Sequence, residues 1–316
     1  MRPTVNLLLA SALPLACASV PHPTADARPA ARLVRVADGT TLRTRADDQA
    51  SGVIVAAGAT LRRVRARAGW IELETMPASA RQCAPVIAPP RGMRLRFFVR
   101  PASIAPVLAD RLSLSGPSGA LAVSPGVPGR GSEVFPAGLR ITLSTAPVLA
   151  LEHPAPQVAR PTQSAERLAP GTRAALPDGA TVEVTRDPPV YVLSRRATGE
   201  GARVLVAMPC ARFEAVVAES AVLPALDLEI DDHGDDSPGA RWVLRADARL
   251  RWTDGSPAGR SVAEVRLVDA GRATEGARCF RVPLRVLGGP SAAASLETEV
   301  CADAADITEA AARETP

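Results

Sequence analysis

The stretch CFRVPLRVLGGPSAAASLETEVC, residues 279–301, decides the fold class. Phe280 to Val286 and Leu296 to Val300 read as strands, and Gly288, Gly289, Pro290 and Ser291 between them read as a turn. Folding the segment about Pro290 sets Leu284 opposite Leu296, Val282 opposite Thr298, Phe280 opposite Val300 and Cys279 opposite Cys301. Facing residues of an antiparallel pair lie about 4.5 to 5.5 Å apart at Cα, within the span of a disulfide. The hairpin and a Cys279–Cys301 bridge are therefore a single expectation.

The composition extends this reading to the whole chain. Apolar residues make up 47% of the 316, enough for real cores and for about two domains. Aromatics are only 3%, and 30 prolines with 23 glycines interrupt almost every apolar run. Short strands joined by turns are favoured over long helices, so the expected class is all-β: a small barrel plus further antiparallel sandwich or barrel domains.

Residues 1–18 read as a signal peptide, with Arg2 as the positive region, Leu7 to Leu15 as a short apolar run, and small residues after it. That run is far shorter than the roughly 20 residues that cross a bilayer. Two processing routes stay open. Leu13, Pro14, Leu15 and Ala16 before Cys17 resemble a lipoprotein box, which implies lipidation at Cys17, although Pro14 stands where that pattern has an aliphatic residue. Ala16 and Ala18 also fit an A-x-A site for ordinary secretion. Both routes export the chain, to the cell envelope as a lipoprotein or to the periplasm or exterior as a free protein. Residues 19–32, rich in Pro and Ala without periodicity, read as a flexible tether.

An oxidising destination gives the cysteines meaning. Cys83, Cys210, Cys279 and Cys301 remain after the leader, and they admit three pairings. The hairpin leaves Cys83 with Cys210 by remainder, and the competing reading makes one or both a buried free thiol. No CxxC spacing occurs and no histidine lies near a cysteine, so a zinc site is not expected. All 37 basic residues are arginine, and the net charge of +4 is too balanced for the dense basic footprint of a nucleic-acid binder.

The most legible module is 33–76. Leu42, Thr44 and Ala46 alternate with Arg43 and Arg45, Val53 to Ala57 is an apolar run, and Gly69, Trp70, Ile71 and Leu73 close it. Leu42 with Arg45, Val53 with Ile54, Gly58, and Gly69 with Trp70 and Ile71 resemble the bacterial SH3-like domain. The resemblance implies a small barrel over about one seventh of the chain; Ala46, Asp47 and Asp48 depart from the Ser-Gly-Pro that often follows the Arg in that family.

Beyond it, strands are expected within 77–150, at Leu95–Val99, Leu112–Leu114, Leu121–Val123, Val134–Phe135 and Leu139–Leu143. Residues 151–170 read as a Pro-rich linker, 171–225 as a β domain, 226–240 as an acidic linker, 241–303 as a β domain ending in the hairpin, and 304–316 as a tail. Asp178 to Val182 echoes Asp38 to Leu42, a weak repeat signal.

Catalytic constellations are sought without success. His22 sits in the tether and His153 in the linker, neither position suited to orienting a proton. His233 lies among Asp231, Asp232, Asp235 and Asp236, where Gly234 and the missing bidentate Glu fit a calcium loop poorly and a solvated turn well. Gly126, Gly129 and Gly131 lack the lysine of a phosphate cradle, and no G-x-S-x-G occurs. Arg63, Arg65 and Arg67 alternate beside Trp70, which places three guanidinium groups on one strand face for an anionic glycan or acidic partner. The plainer reading is a solvated strand face with Trp70 in the core.

The expectation is a non-enzymatic envelope protein without a cofactor or metal, binding peptidoglycan or another envelope protein. A structural lipoprotein with no ligand, and a cell-wall hydrolase with other catalytic residues, are the alternatives.

Overall fold

In a computed structural model of the chain, the described residues are 32–56, 58–77, 85–136, 138–154, 166–185, 190–208, 210–224, 242–268, 271–274, 276–287 and 295–309. Residues 1–31, with Cys17 and His22, together with Cys83 and the acidic run around His233, lie outside them. The described residues form antiparallel sheets with four single-turn 3-10 segments, and the all-β class holds. No helix among them is long and apolar enough to cross a membrane.

Seven strands open the chain: β1 (Arg32–Val36), β2 (Thr40–Arg43), β3 (Gly52–Val55), β4 (Thr60–Arg67), β5 (Trp70–Glu74), β6 (Val86–Ala88) and β7 (Met93–Val99). Their pairing closes a ring with strands from the far end of the sequence. From β4 it runs through β5, β7, Pro257–Ser261, Arg249–Trp252, Ser295–Asp303, Ala277–Leu287 and β6, and returns to β4 by one parallel contact, Thr60 to Val86. Closure removes free sheet edges, which otherwise template aggregation.

Inside this barrel lie alternate residues of each strand, among them Leu61, Leu73, Leu95, Phe97, Leu250, Trp252, Val282 and Val300. The Phe97 and Trp252 rings sit 5.2 Å apart between centroids, the spacing favoured by tilted aromatic pairs. Of the strands in residues 33–76, β4 and β5 belong to this ring, β1 pairs with β4, and β2 with β3 extends the sheet from β7. The C-terminal hairpin strands Ala277–Leu287 and Ser295–Asp303 supply two neighbouring walls of the ring.

That hairpin has the expected register. Leu284 faces Leu296, Val282 faces Thr298, Phe280 faces Val300, and Cys279 is disulfide-bonded to Cys301. Its turn lies outside the described residues.

Residues 107–224 build a second core. A sheet containing Gly119–Val123, Val190–Thr198, Gly201–Met208 and Ala211–Val217 and a second sheet containing Leu139–Thr142 and Thr181–Val184 share the apolar cluster of Val123, Ile141, Val182, Val204, Val206 and Phe213. The strands expected between residues 95 and 143 are present: Met93–Val99, Leu112–Gly116, Gly119–Val123, Glu133–Val134 and Leu139–Thr142. Cys210 is buried in this core and disulfide-bonded.

Three segments differ from the sequence reading. The stretch 151–170 contains the strands His153–Pro154 and Glu166–Leu168. His153 is 2% exposed and pairs with Leu33 of β1, and its imidazole fills the space that a side chain at Gly126 would need. A linker histidine is thus a core residue, because the flanking prolines are compatible with extended backbone. In the tail, Ile307–Glu309 pairs with Trp242–Leu244. The echo between Asp38–Leu42 and Asp178–Val182 is only partly structural: Gly39 and Gly179 both have φ of 73° and lead into a strand, but Asp178 is also left-handed at φ 57°, whereas Asp38 is not in the positive-φ region.

Candidate functional site

The outward face of the barrel over β4, β5 and β7 is built from arginine and glutamate. Alternation sends Leu73 inward and Glu72 and Glu74 outward. Both carboxylates are nonetheless buried, because arginine stems lie over them. Glu72 is shared by Arg65 and by Arg96, the latter at 3.3 Å, and Glu74 pairs with Arg62. Trp70, next along the same face, is covered by the Arg100 guanidinium 4.0 Å from its ring centroid. Arg100 is held there by Asp48, at 3.3 Å from Nε to Oδ1, and by the Gly69 carbonyl at 3.3 Å. The hydrogen bond from Arg100 keeps the Asp48 carboxyl below the ordinary carboxylate range, and Asp48 holds the Arg100 guanidinium correspondingly higher.

The face expected from Arg63, Arg65, Arg67 and Trp70 is therefore only partly assembled. The β4–β5 register shifts between Arg63 and Arg65, so Arg63 stands opposite Leu73 while Arg65 stands opposite Glu72. A bulge adds one residue, here Val64, and moves the residue before it to the other face. Arg63 then pairs with Glu152. Trp70 is 7% exposed, beneath Arg100 and not open for stacking. Arg65 and Arg67 both remain exposed, but Arg65 is paired with Glu72, whereas Arg67, opposite Trp70, has no acidic partner among the described residues.

The same outward surface continues across β7 into Pro257–Ser261 and Arg249–Trp252, and there its character changes. Arg94 of β7 is directly opposite Arg260, and Arg260 is directly opposite Arg249. Three arginines thus stand in one cross-strand row on three neighbouring strands. None of them has an acidic partner among the described residues. Directly opposed like charges destabilise a sheet, so the row carries an uncompensated electrostatic cost.

A groove of about 300 Å3 opens beside this row, with Arg62, Glu74, Thr75, Arg94, Arg260 and Val262 in its walls. Its floor is rigid, since Thr75 accepts the Leu95 amide through its hydroxyl at 3.0 Å and is itself 1% exposed. Burial, followed by the fields of Arg94, Arg260 and Arg96, lowers the Arg62 guanidinium from its ordinary value; burial and then Arg260 do the same to Arg94. Both remain cations at neutral pH.

Sequence reasoning missed Arg62, Arg94, Arg249 and Arg260. Alternation along Met93–Val99 places Arg94 on an outer face, but nothing local to it says that residues 249 and 260 lie alongside. A larger cleft of about 1120 Å3 runs beside Cys279, where Glu264 and Glu299 stand among the arginines. Among the described residues no three His, Cys, Asp or Glu side chains gather as a metal-binding set.

Comparison with protein-family models, with curated proteins and with solved structures finds no match to this chain.

Proposed function

We propose that this is an exported, non-enzymatic envelope protein, lipid-anchored at Cys17 or freely secreted, that binds cell-wall material or another envelope protein through the arginine face of its β-barrel. The leader-like residues 1–18, the SH3-like resemblance of residues 33–76 and the disulfide-bonded cysteines support the export and module parts of this reading. One observation carries the binding part: Arg94, Arg249 and Arg260 stand in register without carboxylates on a rigid closed sheet. A surface retained only for solubility gains nothing from like charges placed face to face, whereas an anionic ligand turns that arrangement into attraction.

The test is co-sedimentation of the mature protein with purified peptidoglycan that keeps its attached anionic polymers. Retention is expected, falling at least tenfold in the triple variant Arg94→Gln, Arg249→Gln, Arg260→Gln. Equal sedimentation of native protein and triple variant would remove the face from the reading. Intact mass of the protein extracted from membranes tests the anchor, through diacylation at Cys17 or cleavage after Ala18.

A further inference from the structure

We infer that the groove bounded by Arg62, Arg94 and Arg260, whose arginine row continues to Arg249 opposite Arg260, is a binding site for a phosphoryl group. The inference rests on the binding role proposed above and names the chemistry of the ligand.

Carboxylate chemistry is already supplied where the face needs it. Glu74 neutralises Arg62 from within the groove, and Glu72 neutralises Arg65 and Arg96 alongside. What remains uncompensated is a row of arginines on three adjacent strands, whose Cβ atoms stand at the cross-strand spacing of about 5 Å. A planar carboxylate offers two oxygens in one plane and reaches at most two neighbouring arginines, as Glu72 does with Arg65 and Arg96. A tetrahedral phosphoryl group presents oxygens in several directions and bridges neighbouring guanidiniums, which suits arginine over lysine. The strands fix the arginine Cα positions, so little ordering of backbone is needed on binding. Arg94 is half-buried in the wall of the groove, which screens an added negative charge less than an open surface would.

The measurement is thermal unfolding and calorimetric titration of the full chain with inorganic phosphate, acetate or dimethyl phosphate, each against chloride at matched ionic strength. Phosphate is expected to raise the unfolding temperature well beyond chloride, and acetate is expected to match chloride. Arg94→Gln and Arg260→Gln should each weaken phosphate at least tenfold, whereas Arg67→Gln, the same charge change on the neighbouring face, should leave it unchanged. Without phosphate, Arg94→Gln and Arg260→Gln should unfold at or above the native temperature, because each removes a like-charge contact. Misfolding therefore cannot imitate the loss of binding. Dimethyl phosphate binding within threefold of phosphate identifies a phosphodiester chain as the source, and its failure identifies a terminal phosphate.

A phosphate response no larger than chloride, an equal acetate response, or equal losses in Arg67→Gln and Arg260→Gln would each overturn the inference. Its failure is separable from failure of the binding role. Sedimentation with peptidoglycan that phosphate does not compete would retain the role and remove the phosphoryl site, and phosphate binding without sedimentation would do the reverse.

Discussion

The two halves of the barrel's outer face use the same side chain to opposite ends. Over β4, β5 and β7, every second residue of the central strand is a buried carboxylate or an aromatic ring, and arginines from both sides close over it. Over β7, Pro257–Ser261 and Arg249–Trp252, the central strand supplies Arg260 between two more arginines. In the first half all but Arg67 of the outward arginines named above meet a carboxylate or an aromatic ring, whereas the row in the second has no acidic partner among the described residues, a contrast that the charge balance of the whole chain, +4, does not reveal.

The largest effect that would break this contrast is expected from Glu72→Gln. It removes the negative charge that Arg65 and Arg96 share and one of its two acceptor oxygens, and should cost about 1–3 kcal/mol in urea unfolding. A loss within experimental error would mean that packing of the arginine stems, not charge pairing, holds the first half. Arg260→Glu sharpens the contrast from the other side, converting the second half into a copy of the first. It should stabilise the barrel by up to about 1 kcal/mol at low salt by pairing with Arg94 and Arg249, with a smaller salt dependence than the native protein. Arg67→Gln should change stability by less than about 0.5 kcal/mol, since that exposed side chain has no acidic partner among the described residues.

The smallest effect is a titration. Asp48 has its folded pKa depressed, chiefly by the hydrogen bond from Arg100, so its contribution is present above the ordinary carboxylate pKa and is lost as pH falls through the folded value. Carbon-13 NMR should place the Asp48 carboxyl midpoint below the ordinary range, and Arg100→Gln should return it there. An unmoved midpoint would show that Arg100 sits over Trp70 without help from Asp48.

How much of this was legible in the residues depends on the distance between partners. The hairpin from Cys279 to Cys301 was readable to the register because turn and strands are contiguous, and one fold point sets every pair. Strands such as Gly119–Val123 and Leu139–Thr142 were readable because turn residues bound their apolar runs. Arg63 was misplaced because a bulge leaves no mark in an alternating pattern: Val64 is apolar where the pattern expects it, yet it is 42% exposed. His153 was misplaced because neighbouring prolines look like linker even when the backbone they extend joins a sheet.

The amino-acid sequence by itself determined the class of this protein, the hairpin register and one disulfide, because alternation and turn chemistry act over a few residues. Only the tertiary structure decided which strands are neighbours. The barrel closes by pairing Met93–Val99 with Pro257–Ser261 and Val86–Ala88 with Ala277–Leu287, contacts between distant parts of the chain that follow from burying two incomplete apolar walls against each other. That burial brings Arg94, Arg249 and Arg260 into one row, and hydrophobic closure of the barrel outweighs the repulsion it creates.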